Sequence, residues 1–78
     1  MTINNDFIQL ISYQNNLNQE QFRILNLSDC PKDWEQLIQD KEISKNDANL
    51  LMLLKGDLSQ KAQKQIIKNY HTILEFNN

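Results

Sequence analysis

The chain has 78 residues and a formal net charge of −2. That length allows one compact unit, burying roughly 60% of the unfolded chain's surface, and leaves too little chain for a second domain or an enclosed active-site cavity. The acidic balance argues against a simple basic nucleic-acid binder; the single Cys30 excludes an intrachain disulfide, and no His/Cys cluster has zinc spacing.

No stretch approaches the roughly 20 apolar residues that span a bilayer, the longest run being Leu50 to Leu54. Met1 to Asn5 lacks the basic segment and apolar core of a signal peptide. A reducing, cytoplasmic setting is therefore expected. One Gly, one Pro and no Val leave little turn or strand material, while Leu, Gln, Lys and Glu are plentiful. The composition predicts an all-α chain: a small single-domain bundle, residues 1–78, of four to five short helices with a long C-terminal one. Asparagines are expected to cap and turn the chain where glycine is missing.

Phe7, Leu10 and Ile11 fall at helical spacing, widened by Ile8 and begun one turn earlier by Ile3, which predicts a first helix over about 4–15. Asn15-Asn16-Leu17-Asn18 should end it. Asn18 with Gln21 three residues on reads as an N-cap and its capping-box partner, opening a short second helix that carries Phe22, Ile24 and Leu25. Ser28-Asp29-Cys30-Pro31 is the clearest break, and a third helix is expected to start at Pro31 and end near Lys41. Its acidic Asp33 and Glu35 suit the positive end of the helix dipole, and Trp34, Leu37 and Ile38 form its buried stripe.

Ser44 and Asp47 repeat the capping spacing, with Ile43 placed to staple onto Ala48, and open a fourth helix. Its Leu50–Leu54 run has no polar side, so it is expected at the centre of the core, surrounded by the other helices or by a second copy of the chain. Lys55-Gly56-Asp57 should close it, the only glycine standing where a left-handed C-cap residue is needed. The last helix opens after Asp57 or Ser59 and runs to about Phe76, with Ala62, Ile66, Tyr70 and Ile73 on its apolar face, broadened by Ile67 and Leu74.

Lys61, Lys64, Lys68 and His71 follow the i, i+3, i+7, i+10 rule on that last helix and form a basic stripe opposite its apolar face. The residues from Asp29 to Asp47, by contrast, are rich in Asp and Glu, so the charge is lopsided. Such a stripe suits an acidic protein surface, or phosphates with modest, salt-sensitive affinity. The last two helices also invite a helix-turn-helix reading, in which Gln60, Lys61, Gln63 and Lys64 would reach base edges, although no arginine is there.

Nothing in the chain pairs a nucleophile with a base, forms a carboxylate dyad or builds a Gly-rich phosphate cradle. Asp33, Glu35, Asp40 and Glu42 lack the alternation and central glycine of a calcium loop. His71 is read as a helix-surface partner of Glu75, Cys30 as an incidental thiol, and Trp34 and Tyr13 as core aromatics. Catalytic residues, cofactors and metals are not expected, and no motif covers enough of the chain to name a family. What remains is a small regulatory protein of bacterial or phage type, of inhibitor, immunity or adaptor kind, that binds a partner protein through Lys61, Lys64, Lys68 and His71, or alternatively a helix-turn-helix DNA binder.

Overall fold

The computed structural model describes residues 1–77, and among these the chain is helical with no strand longer than an isolated bridge. In order come α1 (Asn5–Ile11), α2 (Gln19–Ile24), α3 (Trp34–Ile38), α4 (Lys45–Leu53) and α5 (Gln60–Asn77). α4 packs against α1, α2 and α5, and α5 also packs on α2. The core gathers Ile3, Phe7, Ile8 and Ile11 with Leu17, Phe22, Leu25, Trp34, Ile38, Ala48 and Leu51. Phe22 and Trp34 meet edge to face, their centroids 6.1 Å apart, so Trp34 is a core aromatic as expected; Tyr13 is exposed.

Side-chain caps set the starts of four of the five helices. Asn4 accepts from the Phe7 amide, Asn18 and Gln21 form the expected capping box, Ser44 accepts from Asp47 and Ser59 from Ala62. Asparagine replaces glycine at the end of α2. Asn26 (φ 62°) follows the Leu25 C-cap of α2 in the left-handed region; its amide donates to Arg23 and that of Leu27 to Phe22, a complete Schellman closure.

Three expectations are corrected. α1 stops at Ile11 rather than near residue 15, because Tyr13 and Asn16 exchange backbone hydrogen bonds across Gln14 (φ 52°) and Asn15 (φ 63°), a type I′ turn that reverses the chain. α3 begins at Trp34, not Pro31, and ends at Ile38. Asp33 caps it without a side-chain bond, and beyond Gln39 the backbone is drawn into pairing with the N-terminal segment. There the Ile3 amide donates to Lys41, Asp40 to Ile3 and Ile43 to Met1, while the Thr2 hydroxyl donates to Glu42 at 2.7 Å. Ile3 is thus extended and fully buried, not the first turn of a helix.

The third correction concerns α4. Leu50, Leu51 and Leu54 are buried, but Met52 and Leu53 face outward, Leu53 being 53% exposed, so the helix has a wet side. Leu37 and Leu10 are likewise exposed, where the spacing had placed them inward. Gly56 does take a positive φ, 127°, but two residues after the Leu54 C-cap. No described helix is long and apolar enough to cross a membrane.

Candidate functional site

The four basic residues singled out by sequence, Lys61, Lys64, Lys68 and His71, are all exposed on α5. At about 100° per residue they fall within one quarter of the helix circumference. The inward side overlaps the face the spacing suggests but is rotated from it: Ala62, Ile66, Ile67, Tyr70 and Leu74 are half-buried as expected, whereas the polar Gln63 is the buried residue and Ile73 is 55% exposed. The apolar face is therefore turned toward the lysine row, so that Lys64 and His71 border a groove instead of standing opposite the core.

That groove, about 430 Å³, opens between α2, α4 and α5. Ile24, Leu50 and Ile67 supply apolar surface, Glu20, Arg23, Asp47 and Lys64 supply charge, and His71 adds an imidazole. Lys61 and Lys68 lie farther round the helix and outside it. Sequence reasoning missed Arg23 and Glu20; the available signal was their i, i+3 spacing on a capped helix.

Glu20 is the electrostatic centre of this region. It is buried in the first turn of α2, where the dipole favours an acid, and its Oε1 lies 3.2 Å from Arg23 Nη1 and accepts from Gln60 Nε2 at 2.8 Å. Gln63 locks the same corner. Its Oε1 accepts the Glu20 amide at 3.0 Å and its Nε2 donates to the Leu58 carbonyl at 2.8 Å. With Glu20 matched by Arg23, the remaining charged side chains at the groove are Asp47 and Lys64, with the His71 imidazole beside them.

This packing bears on the helix-turn-helix reading. Of Gln60, Lys61, Gln63 and Lys64, both glutamines spend their amides inside the protein, which leaves two lysines to face a nucleic acid. The connection from α4 to α5 is also six residues, Leu54 to Ser59, longer than the three or four of a recognition-helix turn.

The remaining candidates stand apart. His71 does not pair with Glu75; among the described residues the ion pairs are Arg23–Glu20 and the terminal ammonium with Glu42, and the nearest aromatic neighbour of His71 is Tyr70, tilted at 6.5 Å. Cys30 is an exposed free thiol in the loop before α3. A second, polar cleft of about 280 Å³ lies between the Tyr13–Asn16 turn and Gly56, with Asn18 at its base. No family model, curated protein or solved structure matches the chain. The site is accordingly read from its own chemistry: a cationic helix edge beside an apolar, partly charged trough.

Proposed function

We propose that the chain is a small non-enzymatic interaction protein, regulatory in role, that binds a partner protein through the outer face of α5 and the adjoining groove. The observation that carries this reading is the coincidence of a four-residue basic row with an open apolar trough at its edge. Ile24, Leu50 and Ile67 offer a seat for one large apolar side chain, the usual anchor of a protein interface. Lys61, Lys64, Lys68 and His71 then select acidic groups around it and speed encounter. A partner helix or loop that presents an apolar anchor flanked by Asp or Glu fits this surface. Inhibitor, immunity and adaptor roles all use such docking, and the site serves them without chemistry of its own.

The test has two arms. A partner purified with the chain from its native cells is titrated against the wild type and against the triple variant Lys61→Glu, Lys64→Glu and Lys68→Glu. Reversal of three charges is expected to weaken binding at least about tenfold at low salt and to shrink the gap as salt rises. Equal affinity for the two proteins would remove the basic row from the interface. In the second arm, random duplex DNA is mixed with the chain at low and moderate salt. A strong, salt-dependent shift would favour the nucleic-acid reading instead, since phosphate contacts give affinity that falls steeply with salt.

A further inference from the structure

α5 carries two apolar rows, one turned inward along its length and a second that is half-buried at its start and bare toward its end. Gln63, Ile67, Tyr70 and Leu74 turn toward α2 and α4. Ala62, Ile66, Asn69, Ile73 and Phe76 recur at alternating spacings of four and three residues, the repeat of a coiled-coil seam. At about 100° per residue this second row lies roughly 110° round the helix from the first, on the side away from the lysines. Exposure grows along it, from the half-buried Ala62 and Ile66 to Ile73 and then Phe76, which is 87% exposed.

The length of α5 explains why the end of the row, Ile73 and Phe76, is bare. The Tyr70 hydroxyl meets Asn46 and Asn49 in the first half of α4, at 3.2 and 3.4 Å. Beyond Tyr70, α5 continues to Asn77, about two more turns.

We propose that this row is a self-association surface, on which α5 of a second copy of the chain packs in the opposite direction. Three observations choose that occupant. No charged residue lies in the row, and its borders are Gln65 and Thr72 on one side and Gln63 and Tyr70 on the other, so two identical copies meet without like-charge repulsion. A charged partner would find nothing to pair with there. Next, a two-fold axis near Asn69 sets the smallest side chain, Ala62, opposite the largest, Phe76, and Ile66 opposite Ile73. Asn69 then faces its own copy, and an amide is both donor and acceptor; its Oδ1 takes one hydrogen bond from Gln65 at 2.9 Å and keeps a second lone pair. Finally, Phe76 alone exposes on the order of 150–200 Å². With Ile73 and Asn69 added, two such rows offer on the order of 1,000 Å² in total, just below the standard range of specific interfaces and in that of weak, transient association. The lysine row stays outside the contact, so this dimer stands or falls independently of the partner-binding reading.

Sedimentation equilibrium of the whole chain decides the matter. A monomer–dimer transition is expected with a midpoint between about 10 and 100 µM. Ile73→Asp and Phe76→Ser, both at exposed positions, should each raise the midpoint at least about tenfold with the far-ultraviolet spectrum unchanged. A monomer at about 1 mM, or a dimer indifferent to both changes, would overturn the proposal. So would a dimer weakened instead by Leu53→Asp on the wet side of α4. A second measurement needs no loss of function: in a Cys30→Ser background, mixed Ala62→Cys and Phe76→Cys chains should form a mixed disulfide faster than either pairs with itself. Equal or faster self-pairing would rule out the opposed arrangement.

Discussion

Replacing Gln21 with Met should destabilise the protein more than any other single polar substitution. Gln21 is 1% exposed, and its side chain serves three helices at once. Its Nε2 donates to the Ile11 carbonyl at the end of α1 and to the Leu51 carbonyl in the last turn of α4, both at 2.9 Å. Its Oε1 accepts from the Asn18 amide, the N-cap of α2, at 3.0 Å. Each of these backbone groups is a helix-end orphan with no partner of its own inside the helix. Methionine has a similar length and fills the space but satisfies none of them. Leaving a buried group unpaired costs about 1–3 kcal/mol; with Asn18 partly open to water, two full penalties and a fraction of a third give about 2–7 kcal/mol. A chain of 78 residues is worth about 4–12 kcal/mol in total, so the variant should lose on the order of half its stability at 25 °C. Urea unfolding followed by Trp34 fluorescence and by helicity measures the difference. Gln65→Met, which breaks only the exposed bond to Asn69, is the matched control and should cost about 0.5 kcal/mol or less. A loss below about 1 kcal/mol for Gln21→Met would refute the idea that this amide joins the three helices.

Other expectations follow from the same geometry. Leu51→Ala should cost about 2–5 kcal/mol in thermal or urea unfolding, and Leu53→Ala, two residues along the same helix, about 0.5 kcal/mol or less; equal losses would mean that α4 has no wet side. Gly56→Ala should cost about 1–3 kcal/mol through its φ of 127° alone, since an added Cβ would meet nothing nearer than Leu58 at 3.9 Å. The Thr2 hydroxyl, assisted by the terminal ammonium, holds the Glu42 carboxyl below its ordinary range. A carboxyl lowered in the folded state adds stability above its unfolded pKa and loses it as pH falls through the folded value. Thr2→Val should therefore move the Glu42 titration, read by carboxyl NMR, back upward and flatten that acid limb; an unmoved titration would assign the shift to something other than Thr2.

What the sequence disclosed, and what it did not, divides along physical lines. Capping is local chemistry, and Asn18–Gln21 and Ser44–Asp47 could be read because the residues that bond lie three apart. The all-helical class followed from composition, and Trp34 and Leu51 were placed inward by spacing alone. Apart from the local Tyr13–Asn16 turn that ends α1 early, the errors are tertiary. Nothing within ten residues of Ile3 announces that it pairs with Asp40 and Lys41, so it looked like the start of a helix, and α3 looked longer than it is. The rotation of α5 was hidden for a similar reason: Gln63 is polar, and only its bonds to Glu20 and Leu58 make it the inward residue in place of Ile73. The basic row was legible as a row, but the groove beside it belongs to three helices and required Arg23 and Glu20 to be seen together.

The pairing of residues 1–3 with 40–43 closes a ring around α1, α2 and α3. Joining ends separated by about 38 residues costs on the order of 3 kcal/mol in chain entropy before any constant is added. A few backbone hydrogen bonds, net about 0.5–1.5 kcal/mol apiece, roughly cancel that cost and leave no surplus. The clasp therefore holds only while Ile3 is seated among Phe7, Ile38 and their neighbours. The N-terminus of a chain built this way does not loosen ahead of its interior: when the middle melts the terminus is released, and the three clasped helices are lost as one cooperative unit.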